Sequence, residues 1–298
     1  MSESAEKPSS GRAALIVLCA SLTFAIGSPI ARFARPAHPV FVAFGRVVIA
    51  ALLLFAFDPA GVVKHTRALS RPVLTRIVAC GALLGLHFAL FQAGLDATSL
   101  PAAISLVSLE PLSVVLCAFL VFGDRPSKRE QIGVVVATLG ALVVSRGAGT
   151  GEHKLAGDLL VVGSVSVFGL YVAAARSIRE ALPARHAGAL INTVAAVVIF
   201  LMLPWFGAFS GLSTLPFRAF LAISALAVLP TVVGHTLVQS ASRTLPPAIV
   251  ALVSPGETLG GLALGALLLG AMPAGIEFVG ATLILAGVLF ALFAPSRA

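Results

Sequence analysis

The chain reads as an all-α polytopic membrane protein of ten transmembrane helices, arranged as two inverted five-helix repeats, and three observations carry that reading. Hydrophobic residues make up 58% of the 298 positions and Asp, Glu, Lys and Arg only 11%, against about 25% charged in a soluble domain. Leu100 to Val121 is a 22-residue apolar run whose one charge is Glu110, followed by Pro111. The same design returns 147 positions later, where Glu257 stands in the run Pro246 to Leu269 beside Pro255. Such runs are long enough for a hydrocarbon core of about 30 Å. A carboxylate halfway across costs on the order of 3 kcal/mol, so it should face a cavity or a partner rather than lipid.

Mean hydropathy of +1.05 leaves no room for a separate soluble domain. The net charge of +8 does not point to nucleic acid, because the basic residues sit in short loops between apolar runs, with no basic patch carrying interleaved aromatics. Cys19, Cys80 and Cys117 all lie in apolar runs without metal-ligand spacing and read as packing residues. No motif for a cofactor or a metal is present, and neither is expected. The expected partners are a small-molecule substrate and the lipid bilayer; monomer and oligomer stay open.

Residues 1–12 are polar and expected to be disordered. Ala13 to Phe33 is too long for the apolar core of a signal peptide and forms span 1. Span 2 covers Pro39 to Phe57, span 3 Pro72 to Leu95, span 4 the Glu110 run, and span 5 Glu130 to Ser145. A linker, 147–156, begins with the glycines 147, 149 and 151. Span 6 covers Gly157 to Ile178, span 7 Arg185 to Phe206, span 8 Phe217 to Ala241, span 9 the Glu257 run, and span 10 Ala274 to Phe293. The repeats are 13–146 and 157–294. With a cytoplasmic N-terminus, fourteen Lys and Arg fall in inside segments and five (Arg32, Arg35, Arg146, Lys154, Arg218) in outside ones, which predicts both termini in the cytoplasm of a bacterial inner membrane.

At a shift of 147, Gln92 matches Gln239 and Glu110 matches Glu257, while Gly123, Pro126, Glu130, Gly133 and Gly140 match Gly270, Pro273, Glu277, Gly280 and Gly287. Phe24 and Arg32 match Phe168 and Arg176 at a shift of 144. Five spans per repeat is odd, so the second copy lies upside down. Inverted repeats of this kind build secondary transporters with a midplane site between the copies.

The candidate binding residues follow from polar groups placed inside spans. Glu110 and Glu257 can hold a substrate ammonium or a coupling proton, or stay neutral and cap backbone released by their prolines. Thr231, His235 and Gln239 recur at helical spacing on span 8 and form a polar stripe suited to a cavity or to an interhelical hydrogen-bond seam. His87 and Gln92 on span 3 flank Phe88 and Phe91. Ser164, Phe168 and Tyr171 share a face of span 6, as Ser21, Phe24 and Ser28 do on span 1; packing is the competing explanation for both. Arg46 and Asn192 occupy near-equivalent places in spans 2 and 7. Trp205 closes span 7 as an interfacial anchor.

Ten spans in two halves, Pro39-x6-Arg46 in span 2, and P-x3-E-x2-G-x6-G opening spans 5 and 10 resemble the EamA family of the drug/metabolite transporter superfamily over nearly the whole chain. Within it the chain is most similar to bacterial amino-acid exporters, the aromatic amino-acid exporters among them. The resemblance implies a cavity lined by spans 1, 3, 4, 6, 8 and 9, with spans 5 and 10 outside it. Arg46 is able to clamp a substrate carboxylate bidentately, but the resemblance implies a structural role instead, in an ion pair tying span 2 to a neighbour. The expected activity is export of small amphipathic metabolites, most of all amino acids, by alternating access, with a proton-coupled multidrug exporter as the alternative. An intramembrane enzyme is disfavoured, since no HExxH, paired intramembrane aspartates or Ser/His pair at one depth is present.

Overall fold

Proline, serine and aspartate set most of the helix starts. In the computed structural model, which describes residues 10–149, 151–178, 180–238, 250 and 252–293, with side chains from Leu15 onward, His38 precedes α3 (Pro39–Phe57) and accepts from the Val40 N–H. Asp58 ends that helix and caps α4 (Pro59–Arg67) by accepting from the Gly61 N–H at 2.9 Å. Ser99 caps α6 (Leu100–Val107), and Ser127 forms a capping box with Glu130 at the head of α8 (Lys128–Ser145). Proline at the first turn lacks only an N–H that would have no partner there.

The other helices are α1 (Ser10–Ala25), α2 (Gly27–Phe33), α5 (Arg71–Ala97), α7 (Glu110–Phe122), α9 (Leu155–Arg176), α10 (Ala184–Met202), α11 (Phe217–Leu226), α12 (Val253–Leu269) and α13 (Gly275–Leu292). No strand occurs among the described residues. Among the described residues, eight helical stretches are long and apolar enough to cross a membrane: Leu15–Phe33, Pro39–Phe57, Arg71–Ala97, Leu100–Phe122, Leu155–Arg176, Ala184–Met202, Phe217–Val238 and Gly275–Leu292. Two further helices, α8 and α12, fall short of that measure. Lys128, Arg129 and Glu130 crowd the first turn of α8, and α12 spans 17 residues. The surface helix α4 was not expected from the sequence.

Among the described residues, three spans are broken where the sequence places a proline. Span 4 stops at Val107 and restarts at Glu110, with Pro111 in the new first turn. Span 1 breaks at Ile26 ahead of Pro29. In span 8 an eight-residue π-helical segment, Ala227–Gly234, surrounds Pro230. Pro230 has no N–H for the Leu226 carbonyl; the Thr231 hydroxyl donates to that carbonyl instead, at 3.0 Å.

Glycine contacts give the relative directions of the helices. A Cβ on Gly140 would sit 2.7 Å from Ile284 N and 2.8 Å from Gly280 O, and one on Gly133 2.5 Å from Gly287 O. Lower numbers on α8 therefore meet higher numbers on α13, and the two helices are antiparallel. Gly133 is the repeat partner of Gly280 and Gly140 of Gly287, so exchanging the halves maps this crossing onto itself. Antiparallel equivalents require copies turned upside down. By the same logic α5 and α9 are antiparallel (Gly157 against Ala97, Ser164 bonded to His87), and α1 and α12 run parallel (Ser21 by Gly256, Ala25 by Gly260). Close backbone approach through small residues is how helices associate where lipid removes the hydrophobic drive.

Candidate functional site

A cavity of about 260 Å³ lies between the halves. Its wall takes Phe24 and Ser28 from span 1, His87, Phe88, Phe91 and Gln92 from α5, and Phe168 from α9. Glu110 and Pro111 enter at the break in span 4, His235 follows the π segment, and Ser254 and Glu257 come from α12. Two departures from the expected lining stand out: Arg46 of span 2 faces the cavity, and so does Leu292 at the end of span 10. Span 2 reaches inward because α3 packs on both α5 and the π segment.

Arg46 is 6% exposed. Its Nε donates to the Thr231 hydroxyl at 2.7 Å, and its guanidinium carbon stacks 4.1 Å from the centre of the Phe88 ring. Among the described residues no carboxylate oxygen lies within 4.0 Å of it, so the expected ion pair is replaced by a hydrogen bond and a cation–π contact. Glu110 and Glu257 still act on Arg46 electrostatically across the cavity. A buried cation–π contact contributes roughly 2 kcal/mol. Thr231 is thereby occupied twice, accepting from Arg46 and donating to the Leu226 carbonyl, and it also lines the second cavity described below.

His87 Nδ1 lies 3.0 Å from the Ser164 carbonyl and 2.9 Å from its hydroxyl. A carbonyl only accepts, so Nδ1 carries the proton and Nε2 is left as an acceptor. The imidazole packs among Phe88, Phe91 and Phe168 at 5.0, 6.2 and 5.0 Å between ring centres. Phe24 meets His235 edge-on at 5.3 Å, and Phe168 touches Tyr171 at 5.9 Å. Phe24 of span 1 and Phe168 of span 6 thus line the same cavity, each within its own group of rings. Gln92 is buried at 3% exposure, and its Nε2 has no partner among the described residues. Ser21 and Ser164 are committed elsewhere, Ser21 to the Val253 carbonyl. Gln239 lies outside the described residues. Tyr171 and Asn192 line a second cavity of about 670 Å³ that shares Leu84, Phe88 and His235 with the first. That vestibule reaches the end of the molecule marked by Phe57 and Pro183 to Arg185.

The opposite end is shut by a polar network that the sequence did not reveal. Arg32 pairs with Glu152 at 2.7 Å and donates to the Thr98 carbonyl at 2.6 Å; Arg35 pairs with Asp96 at 2.7 Å and Glu152 at 3.2 Å. Behind them, buried His153 sits 2.9 Å from Asp158 and 3.0 Å from Glu277, with Thr98 donating to Asp158 and Ser99 to Glu277. Burial is the largest single influence on Glu152 and acts upward, yet Arg32 and Arg35 together outweigh it and hold its carboxyl below the ordinary value. A depressed folded-state value stabilises this closure at neutral pH and is lost as pH falls through it. Glu152→Gln should therefore reproduce at neutral pH what acid does to the wild type. Cysteine in place of fully buried Ala34 should then react faster with an impermeant maleimide; unchanged labelling would mean that Glu152 does not hold this end shut.

The comparisons with known proteins follow the same lines. The sequence model of the EamA-like transporter family matches residues 11–146 and again 155–293. No curated protein matches the chain. A crystal structure described only as that of a protein shares the fold with a TM-score of 0.64 at 18% identity, covering 95% of this chain and 97% of that one. Two matched repeats over almost the whole length, in an all-helical bundle with a cavity between the halves, make the chain a member of the EamA-like transporter family, whose members are membrane transporters.

Proposed function

We propose that this transporter exports amino acids with apolar or aromatic side chains by alternating access, using the cavity between the repeats. The observation that carries the reading is the composition of that cavity. Glu257 and Glu110 stand opposite Arg46 and Gln92 in an apolar chamber walled by Phe24, Phe88, Phe91 and Phe168. A zwitterion needs an acceptor for its ammonium and donors for its carboxylate; Glu257 supplies the first, and Gln92 Nε2 and His235 the second. The cavity, at about 260 Å³, is close to the small end of ligand pockets (roughly 300–1,000 Å³). That size favours an amino acid over a bulky drug.

In this reading ten helices cross the inner membrane of a bacterium and both termini are cytoplasmic. The vestibule then opens to the cytoplasm and the Arg32–Glu152 end is the closed outer gate, the state in which an exporter loads. Cysteines replacing the exposed Lys64 and Lys154 should label from opposite sides of right-side-out vesicles; labelling of both from one side would overturn the topology. Function is tested by counterflow in proteoliposomes against a panel of labelled amino acids and cationic dyes. Phenylalanine and leucine should exchange at the highest rates. Dye transport driven by a pH gradient, with no amino-acid exchange, would favour the multidrug reading instead.

A further inference from the structure

Resting on that functional reading, we propose that the vestibule holds a second site for the same zwitterionic substrate, occupied before the central cavity, with Arg185 taking the carboxylate and Asn192 Oδ1 the ammonium. The site is built on one face of α10. Arg185, Gly188 and Asn192 fall at i, i+3 and i+7, so they line up over two turns, about 10 Å, and all three line the vestibule.

Each end of this row carries an uncommitted group. Asn192 is 6% exposed; its Nδ2 donates to the Gly188 carbonyl at 2.9 Å, while Oδ1 is buried with no partner among the described residues. Turning the amide over would set Oδ1 against that carbonyl, two acceptors face to face, so the orientation follows from the hydrogen bond. An acceptor without a protein partner beside a cavity is one that a ligand ammonium can meet in place of water. At the mouth, Arg185 has no carboxylate within 4.0 Å among the described residues; Asp58 influences it only at longer range.

Between the two, Gly188 leaves a hollow. A Cβ there would meet only Leu54 Cδ1, at 3.4 Å, which is ordinary contact. Leu54, Phe57 and Tyr171 offer the apolar wall for the substrate side chain. Leu84, Phe88 and His235 belong to both chambers and form the septum between them, with Phe88 held under Arg46. A substrate passing inward from Asn192 would next meet that septum and then Glu257.

Equilibrium binding of labelled L-phenylalanine to the purified full-length protein in nanodiscs tests this. The wild type should saturate at two ligands per chain. Gly188→Leu, which fills the hollow where the surroundings leave room, should bring saturation to one, and so should Asn192→Leu, whereas Asn192→Asp keeps an acceptor and should retain two. Glu257→Gln should weaken the central site by ten- to a hundredfold and leave one tightly bound ligand per chain, and its combination with Gly188→Leu should leave none. A wild-type stoichiometry of one, or two sites surviving in both Gly188→Leu and Asn192→Leu, would overturn the vestibule site while leaving the central one intact. No phenylalanine binding by any variant would instead overturn the amino-acid reading, and the vestibule ligand with it.

Discussion

Glu257→Gln should lower exchange of a zwitterionic substrate by ten- to a hundredfold while the protein still inserts and remains monodisperse. Removing a hydrogen bond to a charged group costs about 1.5–3 kcal/mol, and each 1.4 kcal/mol is about a factor of ten in affinity. Glutamine keeps the shape, so packing on Ser21 through Gly256 and on Ala25 through Gly260 is undisturbed. Glu257 sits in the second turn of α12, past Pro255. Glu110, by contrast, is the first residue of α7, at the restart of span 4, where the positive end of the helix dipole favours a negative charge. Glu110→Gln should therefore reduce stability as well as transport, and comparison of the two variants separates a binding carboxylate from a capping one. Wild-type exchange in Glu257→Gln, at normal expression, would move the ammonium site off α12.

The largest stability effect is expected at the α8–α13 crossing. In a free helix Gly→Ala stabilises by about 1 kcal/mol. At Gly140 the new methyl would meet Ile284 N at 2.7 Å and Gly280 O at 2.8 Å, both backbone atoms that cannot rotate away. Overpacking of that kind costs roughly 1–3 kcal/mol, so the sign reverses, and Gly140→Leu should lie at the upper end. Gly163 is the control. It lies inside α9 with only Leu90 Cδ1 within reach, at 3.9 Å, and Gly163→Ala should stabilise. Val135, 59% exposed toward lipid, should tolerate leucine, whereas Ile284, fully buried in the crossing, should not. The fraction of monodisperse protein left after heating reads all of these; equal survival of Gly140→Ala and Gly163→Ala would contradict the close crossing.

Much of the architecture was legible in the residues themselves. The apolar runs, their prolines and the 147-residue repeat come from local composition and spacing, and a membrane makes these decisive because each buried backbone group must find its partner within its own helix. The break at Pro111 and the inverted relation of the halves belong to this class, as does the choice of Glu110 and Glu257 as cavity residues. Contacts between distant residues carry no such local mark. Nothing in the spacing of Arg46 shows that it would bond to Thr231, 185 positions away, rather than pair with a carboxylate. The same holds for His153 between Asp158 and Glu277, and for Asn192, which lines the vestibule rather than the central chamber. Those pairings arise only when helices from both repeats are brought side by side, because a side chain's partner depends on which neighbour its helix face meets. Whether a polar residue binds substrate or holds the bundle together is decided there.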